Sequence, residues 1–149
     1  MANHTDKVTP VAIFIKDLLI ANRTSLGLRD VLFGDQNMIP ETPFAVVNCG
    51  PKRRQLAGVS APGGRTMNSL TVFIDIHSSA VGSEADERLK LDQLADLIET
   101  KIHADPTCGG IIIHGFVTDW DPGQFFIGNS MFRTVRMTFV GETKTYLST

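Results

Sequence analysis

The sequence predicts an α+β domain: a mostly antiparallel sheet of four to five strands with two helices packed on one face. Three observations predict it. Leu91, Leu94, Ala95, Ile98 and Ile102 recur at the i, i+3, i+4, i+7 spacing of a helix lying on a surface. Leu70 to Ser78 alternates, with Val72, Ile74 and Ile76 on one side and Thr71, Phe73, Asp75 and His77 on the other. Two further apolar runs after the helix are separated by turn residues, the pattern of a closing hairpin. With 149 residues, 42% hydrophobic and 20% charged, the chain is long enough for one domain, 1–149, with a sizeable core.

In chain order, residues 1–8 are polar and read as an N-terminal arm. Thr9 and Pro10 suit a helix start, and the helix is expected to run to Asn22 or Arg23. Val11, Phe14, Ile15, Leu18 and Leu19 form one face, which Ile13 and Ile20 widen past half the circumference. Either the sheet covers that face or part of it meets a neighbouring subunit. Leu28 to Phe33 reads as a short strand, and Phe44 to Cys49 as another, bounded by Pro43 and Gly50-Pro51. Residues 50–69 read as one long basic loop or a ragged hairpin. Between Thr42 and Ile74 there are four basic residues, Lys52, Arg53, Arg54 and Arg65, and no acidic one. They are either a solvated tip or a surface aimed at an anionic partner.

Ser83 is the expected cap of the second helix, with Glu84, Asp86 and Glu87 in its positive first turn. Pro106 ends that helix, and Gly109 and Gly110 allow a sharp reversal. Ile111 to Trp120 is then a strand. Asp121-Pro122-Gly123 reads as a turn, with Gln124 to Ile127 flanked by turns. Phe132 to Val140 is the last strand, with Val135, Met137 and Phe139 inward, and 141–149 reads as a C-terminal tail.

Chemistry is sparse. The net charge of −2 argues against a general nucleic-acid binder. No apolar run approaches the ~20 residues of a membrane span, and no signal-like start is visible. Cys49 and Cys108 lack a CxxC pattern and read as free cytosolic thiols. His4, His77, His103 and His114 match no metal motif, and no cofactor is implied. Gly58-Val-Ser-Ala-Pro-Gly63-Gly64 lacks the strand-then-helix context of a phosphate loop. No catalytic set is expected. Asp119 and Asp121 are candidate oxygen ligands for a divalent cation, or simply turn formers. Trp120, Phe125 and Phe126, with Phe14 and Ile20 on the first helix, are the candidate oligomer contacts, because aromatic and aliphatic anchors dominate buried contact patches. A constructed site of His77, His114 and Asp75 is the enzymatic alternative.

The order of elements, with Ile39-Pro40-Glu-Thr-Pro43-Phe-Ala-Val-Val and a helix exit Asp105-Pro106-Thr107-Cys-Gly109-Gly110, is similar to tail terminator and tail-completion proteins of long-tailed (lambda-like) bacteriophages and related prophages. The resemblance covers roughly residues 8–141 and brings no catalytic residues with it. It implies a structural virion protein, assembled in the host cytoplasm, that closes into a hexameric ring on the tail tube. Such a ring ends tail polymerisation and forms the surface for head–tail joining. Its partners would be its own copies, the tail tube protein and a head-completion or connector protein. DNA would touch the Lys52, Arg53, Arg54 and Arg65 segment transiently, without base specificity. No membrane partner is implied. The alternatives are another head–tail connector or minor tail protein, or a small cytosolic ligand-binding domain.

Overall fold

The computed structural model describes residues 8–34, 41–58, 65–79 and 84–146. Helix α1 (Val8–Ala21) and a one-turn helix α2 (Arg23–Leu26) lead into β1 (Asp30–Phe33), β2 (Phe44–Gly58) and β3 (Arg65–Ser79). Helix α3 (Glu84–His103) follows, then β4 (His114–Ile127) and β5 (Ser130–Tyr146). The five strands lie in the order β1-β2-β3-β5-β4. Every pairing is antiparallel except β1 with β2. This is the α+β arrangement expected from the sequence.

Helices α1 and α3 cover one face. On β3 the helix-facing positions Leu70, Val72, Ile74 and Ile76 are fully buried, and Val135, Met137 and Phe139 of β5 continue that layer. Helix α3 meets them with Leu91, Leu94, Ala95, Ile98 and Ile102, and α1 with Val8, Val11, Ala12, Ile15 and Leu19. Each large side chain taken from water here stabilises the fold by ~1.5–3 kcal/mol. Val8, expected within a polar arm, is already helical and buried.

The exit of α3 is held by polar contacts. Asp105 accepts hydrogen bonds from the Thr107 hydroxyl at 2.7 Å, the Thr107 N–H at 3.2 Å and the Gly109 N–H at 2.9 Å. Those donors, led by the Thr107 hydroxyl, hold the Asp105 carboxyl below its ordinary pKa. Cys108, Gly109 and Gly110 all take positive φ in the reversal. His103, the last residue of α3, accepts the Val117 N–H at Nε2, 2.9 Å, and so ties the helix end to β4.

Several expectations are corrected. Of the two readings of 50–69, the described residues adopt the hairpin: β2 pairs with β3 out to Gly58 and Arg65, with register shifts at Cys49/Lys52 and Leu56/Gly58. The strand expected over Ile111 to Trp120 begins only at His114. Asp121-Pro122-Gly123 is no turn, since β4 runs through it and Pro122 pairs with Val135. An edge strand tolerates a proline because its outer N–H row needs no partner. The hairpin closes later, at Gly128-Asn129. The tail expected at 141–149 is strand through Tyr146, with Thr143 only 2% exposed. Its Gly141 sits where Ile112 and Leu70 close in, and an added Cβ would lie 2.8 Å from Ile112 Cδ1. The expected cap Ser83, and His4, Ile39 and Pro40, lie outside the described residues.

Candidate assembly surfaces

The face of the sheet away from the helices carries a polar centre and an aromatic end. At the centre, Arg136 of β5 lies opposite Asp75 of β3. Its Nε donates to Asp75 Oδ1 at 2.8 Å and its Nη2 to Oδ2 at 3.0 Å, a two-pronged ion pair. The guanidinium also lies 4.5 Å from the centre of the Phe73 ring. Arg136 is accordingly held above its ordinary pKa, first by the hydrogen bonds to Asp75.

Toward the Ser79 end of β3 the face becomes aromatic. Phe44, Val46 and Phe132 are buried there, with Leu32 packed against them. His77 sits among them, its ring 4.8 Å from Phe44 and 4.9 Å from Phe125. Its Nδ1 and the Thr134 hydroxyl are 2.8 Å apart. Burial lowers the His77 pKa below 6.5; Asp75 opposes that shift and Arg136 adds to it.

The residues of the enzymatic alternative do not come together. His77 is 3% exposed and Asp75 is engaged by Arg136. His114 lies at the far end of β4, opposite Glu142, which pairs with Ser69 of β3. Eight strand positions separate Ser69 from His77, about 26 Å at ~3.3 Å per residue. His114 there faces the Glu142 carboxylate, 3.6 Å from its Nε2. Asp119 and Asp121 both lie exposed on β4, Asp119 accepting the Thr118 hydroxyl and Asp121 opposite Arg136. No group of three metal-ligating side chains occurs among the described residues. Cys108 is buried, with its thiol pushed up to about 12 by burial and by Asp105. Cys49 is exposed, its sulfur 3.8 Å from the Thr9 hydroxyl. Among the described residues, no helix is long and apolar enough to cross a membrane.

The candidate contact residues divide. Phe14 is half-buried against the core, close to Gly109. Trp120 packs on the core too, and its indole N–H donates to Glu99 Oε1 at 3.2 Å. Ile20 is 42% exposed, Phe125 45% and Phe126 61%. Lys52, Arg53, Arg54 and Arg65 take strand positions opposite Leu70, Ser69, Asn68 and Gly58. Other exposed apolar side chains were not singled out by the sequence, among them Phe116 on β4 and Leu89 and Leu97 on α3. The alternation of β4 and the repeat of α3 held the signal for them, but each also fits a buried position.

The described residues define an α+β chain with α1 and α3 on one sheet face and an ion pair and an aromatic cluster on the other. No protein-family model matches the chain, and no curated protein does. Among solved structures it is similar to a chain described as "Virion of native gene transfer agent (GTA) particle", at 11% identity and a TM-score of 0.49, over 90% of this chain and 94% of that one. It is also similar to a second chain, whose description gives only a sequence label, at 12% identity and a TM-score of 0.53, over 98% of this chain and 100% of that one. The second likeness establishes a shared fold.

Proposed function

We propose that this chain is a structural, non-catalytic virion protein that caps the phage tail tube as a ring. It would end tail polymerisation and present the head-docking surface. The element order is similar to that of tail terminators, and one observation of the surface supports the reading most. Exposed large apolar side chains occur on several elements, among them Ile13 and Ile20 on α1, Leu89 and Leu97 on α3, and Phe125 and Phe126 on the β4–β5 hairpin. A closed ring needs two different patches on each subunit. The tail tube protein, a head-completion or connector protein and passing DNA are the other partners in this reading. The strand positions of Lys52, Arg53, Arg54 and Arg65 would supply phosphate-directed, salt-dependent contacts.

Native mass spectrometry of the full chain, with and without magnesium, tests the reading. It predicts one closed oligomer, a hexamer by the resemblance. A strict monomer in all conditions that also fails to bind tail tubes would overturn it.

A further inference from the structure

Two arginines converge on the start of β5 from the helix-bearing side. Val135 and Met137 face the helices, and counting back by twos so does Arg133, which stands opposite Ser78 of β3. Its Nη1 donates to the Ser79 carbonyl at 3.3 Å. Arg88 reaches the next residue of β5 from α3, donating to the Thr134 carbonyl at 3.2 Å and to the Gly123 carbonyl at 3.4 Å. Both are fixed by neutral carbonyls, which hold a guanidinium in place without balancing its charge. Among the described residues neither has a carboxylate at ion-pair distance.

Arg136, further along the same strand, is the contrast. Its side chain is 47% exposed, so water already solvates it, yet Asp75 takes its Nε and Nη2. Arg133 is only 8% exposed and has no such partner. Burying a charge without a counter-charge is strongly unfavourable. On Arg133 the same two donors, Nε and Nη2, are left over once Nη1 is bonded to Ser79. They stay reachable. The sealed polar side-chain atoms that lack a partner among the described residues are Ser78 Oγ and Thr143 Oγ1, and no arginine nitrogen is among them.

We propose that Arg133, with Arg88 beside it, is a binding site for a carboxylate, presented as an aspartate or glutamate side chain by a neighbouring protein in the assembly. That source rests on the assembly reading above; the site itself does not. A guanidinium edge with two parallel N–H groups matches a carboxylate in its plane. Duplex DNA suits it less. A side chain so deeply buried cannot follow a row of phosphates, and the first turn of α3, which leads to Arg88, carries Glu84, Asp86 and Glu87. A single carboxylate on a side chain can enter where a polyanion is repelled.

Arg133→Met and Arg133→Lys in the full chain test this, with circular dichroism verifying that each folds. In the parent, acetate added at constant ionic strength should shift the Arg133 Nε–H signal in nitrogen-15 NMR, and the shift should saturate; chloride should not reproduce it. Arg133→Lys, which has no fork, should bind acetate at least about tenfold more weakly, read on the Ser79 and Thr134 amide signals. Arg133→Met removes an unbalanced buried charge, so at dilutions where both are monomeric it should melt about 2–4 °C above the parent. The same variant should associate with its own copies or with tail tubes about 30-fold more weakly. A melting point below the parent's, or no saturable acetate shift, overturns the site. Association equal to the parent's overturns the protein source, as does an Arg133 signal that responds more strongly to short duplex DNA than to acetate, and both results leave the ring reading standing. A parent that never assembles overturns the ring reading and the source together, while the acetate titration still decides the site.

Discussion

The two faces of one sheet contrast sharply along β3. On the helix side Val72, Ile74 and Ile76 are aliphatic and sealed by α1 and α3. One residue over, Phe73, Asp75 and His77 carry an ion pair, a cation–ring contact and a buried imidazole. The first face gains its stability from area removed from water. The second is fixed by a few directed contacts, which hold buried polar groups such as Asp75 and His77 in place. The lesson is that fold stability and surface presentation are divided between alternate residues of the same strand, so they should fail separately.

The largest expected effect breaks the sealed face. Ile98→Asp places an unpaired carboxylate at a position with no exposure and should abolish the cooperative thermal transition, a loss of more than about 4 kcal/mol. A transition retained near the parent temperature would show that α3 is not packed as described. Next, on the open face, Arg136→Ala should cost ~2–3 kcal/mol in urea unfolding, because it strands the nearly buried Asp75. Replacing Asp75 as well, with Asn, should recover part of that loss, and a purely additive double variant would deny the pairing.

A smaller effect comes from His77. The unfolded chain takes up its proton near pH 6.5, whereas the folded chain does so only at lower pH. Between those points the unfolded state binds more protons, so stability rises with pH there and falls on acidification below about 6.5. His77→Phe should remove that dependence in melting curves recorded from pH 7.5 downward; an unchanged slope would place its origin elsewhere. The smallest effect on the fold is at Cys49 and Cys108. Under native conditions an alkylating reagent should modify the exposed Cys49 and spare the buried Cys108, read by intact mass. Equal labelling would show that the α3 exit opens readily.

Much of the sealed face was legible because its periods are strict. The repeat from Leu91 to Ile102 and the alternation from Leu70 to Ser78 each admit one arrangement. The open face was less legible, since its contacts join residues far apart in the chain. Nothing near His77 announces Phe125, which reaches it only after α3 and β4 have been laid down. Local turn chemistry misled at Asp121-Pro122-Gly123, where the edge position of β4 overrides the composition. The role of Gly115 was equally hidden: an added Cβ would lie 2.3 Å from the Phe139 ring, a constraint set by packing alone. Composition at 141–149 suggested a free tail, but pairing with β3 draws it into the sheet as far as Tyr146.

The most direct measurement is the length distribution of tail tubes polymerised from the partner tube protein with and without this chain, viewed by negative-stain microscopy. The account predicts tubes arrested in growth, each with a ring at one end. Tubes that lengthen unchecked, with no density added at either end, would contradict it.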